Sequence, residues 1–305
     1  MRPDWIAVDW GTSNLRAWAM GARGEVLADA KSDAGMGTLK PGPHGFEPAL
    51  MDLIRPWLGG DRVVDVIACG MVGSRQGWAE AAYRPVPAAP LAPTPVRAVA
   101  HDRRIRVHIL GGVSQKAPPD VMRGEETQIA GLLTEMPGFE GVIALPGTHT
   151  KWVQIVGGEI FHFASYMTGE LYALLSRQSV LRHSVGHGGL DDAAFIDALG
   201  DTLSHPERVA AKLFGLRAAH LLAGEDPAQA SARLSGYLLG LELAGARPYW
   251  LGQPIALVAA GAAAHRYCLA LDTLGAAYTR HDPDACVRAG LTATHAALTQ
   301  TEPNR

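Results

Sequence analysis

Val8-Asp9-Trp10-Gly11-Thr12-Ser13-Asn14-Leu15-Arg16 and, much further along, Leu145-Pro146-Gly147-Thr148-His149-Thr150-Lys151-Trp152 are the stretches on which the fold turns. Residues 5–8 are apolar and β-prone and stop at Asp9-Trp10-Gly11-Thr12-Ser13. Residues 14–20 follow as a second strand, with Leu15, Ala17 and Ala19 alternating against Asn14, Arg16 and Trp18. Residues 21–24 turn the chain, and residues 25–30 supply a third strand. The second stretch repeats the order. Residues 142–145 form a short buried strand, 146–150 a turn, 151–156 a strand, Gly157-Gly158 a hairpin turn and 159–165 a third strand. Superposing the two lays Gly11-Thr12 on Gly147-Thr148, with a tryptophan (Trp18, Trp152) in the strand after each turn. The shared order is that of an internal duplication of a β-meander.

The turns carry the chemistry. A glycine at the head of a hairpin lets backbone N–H groups point into a concave space without a Cβ in the way, and threonine or serine hydroxyls add donors. Two such turns are suited to gripping a polyphosphate. The copies differ at one point: Asp9 precedes the first turn, where the second has Leu145. A single carboxylate beside phosphate donors suits hydrated Mg²⁺, which binds through one or two carboxylates, water and substrate phosphates. The plainer reading of Asp9 is an Asx-turn residue serving its own loop.

The bulk numbers are those of a soluble globular protein. The chain has 305 residues, 48% of them hydrophobic, and a formal net charge of -3. That balance gives no electrostatic case for a nucleic-acid or membrane-surface partner. Cys69, Cys268 and Cys286 are widely spread and form no CxxC pair, which points to a reducing cytoplasm. The N-terminus lacks the basic and apolar regions of a signal peptide. The most apolar stretch, residues 254–264, is far short of the roughly 18–20 residues of a membrane span.

Between the meanders, Gly35-Met36-Gly37 is a bend, residues 48–58 a helix and residues 63–68 a strand. That strand ends at Cys69-Gly70-Met71-Val72-Gly73-Ser74-Arg75-Gln76-Gly77-Trp78, a common setting for ligand contacts at a strand end. Residues 84–95 are proline-rich and read as an extended surface loop; residues 106–110 are a strand. Arg123-Gly124-Glu125-Glu126 opens a helix with two acids in its first turn, which the helix dipole alone would favour. An arginine beside them also suits a base with an anion contact. Helices follow over 169–181, 191–199, 207–222 and 228–246. Met167-Thr168-Gly169-Glu170 sits at a strand-to-helix junction, where it suits either substrate contact or capping. A strand over 255–259 enters Ala260-Gly261-Ala262-Ala263-Ala264, small enough for a flat ring to approach the backbone, and 287–297 is a closing helix. There is no GxxxxGK[ST], no strand-linked GxGxxG, no HExxH and no GxSxG. His183 and His187 are four apart, but Gly186, Gly188 and Gly189 argue against a helical zinc face.

Two meanders with Gly-Thr turns, helices after each and a small-residue segment resemble the sugar kinase, Hsp70 and actin superfamily. Within it the quoted stretches, with Ser165-Tyr166-Met167-Thr168-Gly169-Glu170-Leu171 and Gly236-Tyr237-Leu238-Leu239-Gly240-Leu241-Glu242, look like the 2-dehydro-3-deoxygalactonokinase family over essentially the whole chain. The resemblance implies two ribonuclease H-like (actin-like ATPase) domains, each a mixed sheet with flanking helices, around a central cleft. The first is drawn over residues 1–125 and the second over 126–305. It further implies ATP-dependent phosphorylation of 2-dehydro-3-deoxy-D-galactonate at its 6-hydroxyl, a step of galactonate catabolism, with a homodimer as a possible assembly.

Carried onto this sequence, Asp9 would hold hydrated Mg²⁺, and Gly11, Thr12, Ser13, Gly147, Thr148, Thr150 and Lys151 would line the ATP phosphates. Gly261 and Ala262 fall to adenosine. In the related exopolyphosphatase branch a glutamate of a similar Gly-Glu-Glu segment is the base, which falls here on Glu126, with Glu125 its close rival. The sugar acid is left to Gly37, Ser74, Arg75, Gln76, Arg123, Thr168 and Glu170, with Arg75 or Arg123 for its carboxylate; Arg16 is a weaker candidate for that role, its alternative being to flank the ATP phosphates. The alternatives are a kinase for another keto-deoxy acid, an exopolyphosphatase-like phosphatase and a non-catalytic actin-like nucleotide switch.

Overall fold

The computed structural model describes residues 2–60, 62–91, 94–186 and 191–301. Pro93 of the proline-rich loop, and His187, Gly188 and Gly189 of the histidine pair considered above, lie outside the described residues.

In chain order the elements begin with β1 (Trp5–Trp10), β2 (Leu15–Met20), β3 (Val26–Ser32), α1 (Pro43–Ile54), β4 (Val64–Gly70), β5 (Arg84–Pro85), β6 (Val96–Ala98), β7 (Ile105–Ile109), β8 (Val113–Lys116), β9 (Pro119–Met122) and α2 (Glu125–Glu135). They continue with β10 (Gly141–Leu145), β11 (Thr150–Val156), β12 (Glu159–Tyr166), α3 (Thr168–Arg177), α4 (Asp192–Ser204), α5 (Val209–Ala223), α6 (Pro227–Gly245), α7 (Arg247–Trp250), β13 (Ile255–Val258), α8 (Gly261–Thr273), β14 (Tyr278–His281) and α9 (Pro283–Thr301). The chain divides into two compact units. One comprises residues 1–139, 156–162 and 283–305; the other comprises 140–155 and 163–282.

The first unit is built on a sheet of order β3-β2-β1-β4-β7-β6, in which β1 is antiparallel to β2 and parallel to β4. The period-two alternation of β1 decides what each face meets. Ile6, Val8 and Trp10 pack with Phe46, Leu50 and Ile54 of α1, while Trp5 and Ala7 pack with Val287 and Leu291 of α9. Burying side chains of this size stabilises by about 1.5–3 kcal/mol each. Asp9 follows Trp5 and Ala7 in parity, so it shares their face with its register partners Arg16 on β2 and Cys69 on β4.

A boundary between Glu125 and Glu126 is not what the structure has. Helix α2 lies wholly in the first unit, and α9 returns to join it from the far end of the chain. Two glycines make the crossing: a Cβ on Gly131 would stand 1.9 Å from the Cys286 carbonyl oxygen, and one on Gly290 would stand 2.1 Å from that of Thr127. The helix that bears both glutamates is thus packed backbone against backbone on the last helix.

The second unit repeats the plan with the order β12-β11-β10-β13-β14. Again the first strand of the meander, β10, is antiparallel to its successor and parallel to the strand beyond, β13. Val142, Ala144, Trp152, Ile255 and Leu257 pack against residues of α4, α6 and α8. The expected pair of ribonuclease H-like units is therefore present, and the internal repeat is structural. The two tryptophans sit on different rungs, Trp18 opposite Ala7 and Trp152 opposite Ala144. A three-stranded sheet, β5-β8-β9, has no counterpart in the sequence reading.

Candidate active site

In the first unit Gly11 N–H donates to the Asn14 carbonyl at 2.9 Å and closes the turn after β1, leaving Thr12 and Ser13 exposed. The bend at residues 35–37 lies directly behind it. Met36 N–H donates to the Gly11 carbonyl at 3.1 Å and Gly37 N–H to the Thr12 carbonyl at 2.9 Å; a Cβ on Gly35 would stand 2.3 Å from Thr12. Ser74 Oγ lies 3.1 Å from Met36 Sδ, which ties the segment after β4 to the same turn. Arg75 and Gln76 follow it and are exposed. Gly37 and Ser74 are thus brought to the first turn, as neighbours of its backbone.

Asp9 stands at the strand end behind this turn, ion-paired with Arg16, whose other nitrogen pairs with Asp284 at the start of α9. Burial alone would lower the Arg16 guanidinium, but the two carboxylates reverse this and hold it above its ordinary value. The Cys69 thiol faces Asp9 Oδ1 at 3.8 Å. Burial, and then the charges of Asp9 and Glu126, push that thiol well up, so it stays protonated. Cys69 therefore has both proposed acids as neighbours.

Glu126 reaches this place because two strand and helix ends meet without side chains. Gly124 and Gly70 both have positive φ, and a Cβ on Gly124 would stand 3.2 Å from the Gly70 Cα. Glu126 is only 2% exposed. Its Oε2 accepts from Gly124 N–H at 2.7 Å and its Oε1 from the Thr127 hydroxyl at 3.2 Å. Burial, with the charge of Glu125 added, pushes its carboxyl up to about 7. Glu125 is less buried, and its Oε2 accepts from the Arg123 N–H at 3.0 Å. Arg123 is buried over the ring of Tyr83.

In the second unit Gly147 and Thr148 form the exposed second turn, and a Cβ on Gly169 would stand 2.3 Å from the Gly147 carbonyl oxygen. Helix α3 thus starts against that turn, with Glu170 N–H donating to the Thr148 carbonyl at 2.9 Å. Glu170 Oε2 pairs with His149 Nε2 at 2.5 Å. The residues after the turn do not share its exposure. Thr150 is buried with its hydroxyl 2.8 Å from Tyr267 Oη, and Lys151 is buried with Nζ donating to Ser165 Oγ at 2.6 Å. Gly261 and Ala262 open α8 and are exposed. Beside the turn lies a cavity of about 190 Å³ lined by Gly147, Thr168, Gly169 and Tyr172, with Ala263 and Arg266 from α8.

The residue that organises this unit is one the sequence reading passed over. Glu242, buried on α6, accepts from Trp152 Nε1 at 2.9 Å, from Tyr267 Oη at 2.8 and 2.9 Å, and from the Thr168 hydroxyl. Burial raises its carboxyl and these donors hold part of the rise back. A lone acid among Leu238, Leu239, Leu241 and Leu243 was the signal for it. Tyr83, Asp284, Tyr172 and Arg266 were likewise not singled out.

Among the described residues no group of three or more His, Cys, Asp or Glu is arranged to hold a metal, and no helix is long and apolar enough to cross a membrane. The sequence profile of the 2-keto-3-deoxy-galactonokinase family matches residues 9–294. A Rhizobium meliloti (strain 1021) protein named "Probable 2-dehydro-3-deoxygalactonokinase" is 40% identical over 96% of this chain and 97% of its own length. The 2-dehydro-3-deoxygalactonokinase of Escherichia coli (strain K12) is 35% identical over 95% of this chain and 97% of its own. A crystal structure of a Sinorhizobium meliloti protein to which the same activity is attributed superposes with a TM-score of 0.89 at 37% identity, covering 99% of this chain and 98% of that one. An activator of 2-hydroxyisocaproyl-CoA dehydratase from Clostridium difficile, with bound ADPNP, shares the fold at TM-score 0.54 and 10% identity, covering 99% of this chain and 98% of that one. This chain belongs to the 2-keto-3-deoxy-galactonokinase family.

Proposed function

We propose that this protein transfers the γ-phosphoryl group of ATP to the 6-hydroxyl of 2-dehydro-3-deoxy-D-galactonate, with Glu126 as the base. The observation that carries the assignment is a carboxyl only 2% exposed and held at about 7, at the start of a helix whose Gly124 abuts Gly70 at the end of β4. A general base works best when its pKa lies near the operating pH. The hydroxyl proton passes to Glu126 as the hydroxyl oxygen bonds to the γ-phosphorus. The bond to the β-γ bridging oxygen breaks and ADP leaves with that electron pair.

Phosphoryl transfer depends on positioning and charge neutralisation more than on covalent chemistry. The exposed Thr12, Ser13, Gly147 and Thr148 serve the phosphates, and Gly11, whose N–H closes the first turn on Asn14, keeps the approach clear of a side chain. Thr150 and Lys151, turned into their unit, hold the second turn in shape. Gly261 and Ala262, with the cavity that begins at Ala263, serve adenosine. Asp9 suits hydrated Mg²⁺: it is a single carboxylate at a strand end, with no cage of acids around it. When bound, the ion neutralises phosphate charge. Arg16, ion-paired with Asp9 and Asp284, orients the Asp9 carboxylate. Cys69, Cys268 and Cys286 are not joined in disulfides, which fits a cytoplasmic setting.

A coupled ADP assay tests this reading. ADP release is expected with the galactonate-derived 2-keto-3-deoxy acid, less with its gluconate-derived epimer, and none without an acid. Phosphate release independent of the acid would replace the kinase by a phosphatase. ATP-driven polymerisation in light scattering would replace it by a filament protein.

A further inference from the structure

Arg123 has one nitrogen with nothing to hold. Its side chain is 9% exposed. Nη2 donates to the Ala81 carbonyl at 2.8 Å, Nε faces Tyr83 Oη at 3.4 Å, and the guanidinium carbon lies 4.2 Å from the centre of the Tyr83 ring. Nη1 is buried and has no hydrogen-bond partner among the described residues. Residue 73 is glycine where the backbone passes close to this nitrogen: a Cβ there would stand 2.9 Å from Nη1 and 3.0 Å from the Leu110 carbonyl oxygen. Among the described residues this guanidinium forms no ion pair; Glu125 accepts from the backbone N–H of Arg123. The other arginines of the region differ. Arg16 is occupied by two carboxylates, and Arg75 is exposed.

A buried guanidinium N–H without an acceptor is costly, and its charge is uncompensated. Held by Ala81 and stacked on Tyr83, it also loses little freedom when an acceptor arrives. We infer that Arg123 Nη1 takes a carboxylate oxygen of the acceptor, that Tyr83 is the positioning residue beneath it, and that this contact selects a 2-oxo acid over a neutral sugar of the same length. The inference rests on the kinase reading above and deepens it: of the two arginines singled out for the carboxylate, it selects Arg123 over Arg75. A charge-assisted bond of this kind is worth about 10- to 100-fold in affinity.

The test compares the keto-deoxy acid with its primary amide, which keeps the carbon chain and loses the charge. In wild type kcat/KM favours the acid. In Arg123→Gln the acid loses about 10- to 100-fold, through KM, while the amide changes less than about threefold. In Arg75→Gln the preference survives. Tyr83→Leu raises KM for the acid without moving kcat, and Tyr83→Phe, which keeps the ring and loses the oxygen facing Nε, raises it less. An acid preference intact in Arg123→Gln, an equal loss for acid and amide, or a collapse in Arg75→Gln would overturn the inference. A second readout needs no turnover: binding of pyruvate, a bare 2-oxo carboxylate, followed by saturation-transfer NMR. Wild type binds it and Arg123→Gln, with an unchanged melting curve, does not; equal binding by both overturns the assignment. If wild type binds pyruvate through Arg123 yet releases no ADP with the acid, the kinase reading fails and the anion site stands.

Discussion

Replacing Glu126 by glutamine should make the folded protein more stable while stopping its reaction, and both effects follow from one carboxyl. Burial and the neighbouring Glu125 move that carboxyl from 4.5 to about 7. Each unit is worth 1.36 kcal/mol, so holding Glu126 ionised costs the folded state about 3 kcal/mol. The sign follows from proton counting. Below pH 4.5 the folded and unfolded forms are both protonated and the group contributes nothing. Between 4.5 and about 7 the unfolded chain releases its proton first, so stability falls as pH rises; above about 7 the loss is complete. Glutamine has no charge to bury. Its carbonyl can accept from Gly124 N–H, and its NH₂ can donate to the Thr127 hydroxyl, so both contacts survive.

Urea unfolding of wild type and Glu126→Gln at pH 5 and pH 8 reads the effect directly. The variant's advantage should be small at pH 5 and about 3 kcal/mol at pH 8. In the same proteins, wild-type kcat/KM should rise with pH through about 7, and the variant should lose about 10²- to 10⁴-fold together with that limb. A stability difference that is the same at both pH values would refute the burial argument. Full activity in Glu126→Gln would refute the base assignment and move it to Glu125, for which Glu125→Gln is the check.

Three further expectations concern the parts around that carboxyl. Asp9→Asn should raise the Mg²⁺ concentration for half-maximal rate about tenfold or more, as loss of a metal contact does; an unchanged Mg²⁺ titration would take Asp9 out of the metal site. Gly131→Ala drives a methyl group to 1.9 Å from the Cys286 carbonyl oxygen. It should cost about 1–3 kcal/mol in denaturant unfolding, and no loss would mean that α2 and α9 are not locked as described. Glu242→Ala leaves the Trp152, Tyr267 and Thr168 donors without their acceptor. It should cost about 3 kcal/mol or more, and Glu242→Gln clearly less, because the amide keeps one acceptor.

What could be read from the sequence was whatever is local. Both meanders, their Gly-Thr turns and the strand that follows each unit's first helices rest on period-two alternation broken by glycine, and the structure has them in one common order. What could not be read depends on partners distant in sequence. The return of α9 to the first unit is decided by the absence of side chains at Gly131 and Gly290, which leaves no periodic trace. Strand β5 is two residues long in a proline-rich run and offers no alternation to find. The inward orientation of Thr150 and Lys151 follows from Tyr267 and Ser165, neither of which advertises a contact in its own neighbourhood. Glu242 is the sharpest case: on α6 it looks like an interruption in a leucine-rich face, and only the folded unit supplies its donors.

Among the described residues each unit contains one carboxyl raised by burial, and the two differ as the proposal requires of a structural acid and a base. Glu242 is surrounded by an indole N–H and two hydroxyl groups that donate to it, and these oppose the rise that burial causes. A buried group held by three donors is fixed in its own unit and serves the frame. Glu126 has two donors and a second carboxylate, Glu125, beside it, so neighbouring charge adds to burial. The duplicated turns divide in the same way. On β1 the rung at Asp9 faces Arg16, with which it forms an ion pair; the corresponding end of β10 is Leu145 opposite Lys151, whose Nζ donates to Ser165. The repeated plan carries two Gly-Thr turns, and on the proposed roles these few positions put the acid chemistry in the first unit and a hydrogen-bonded frame in the second.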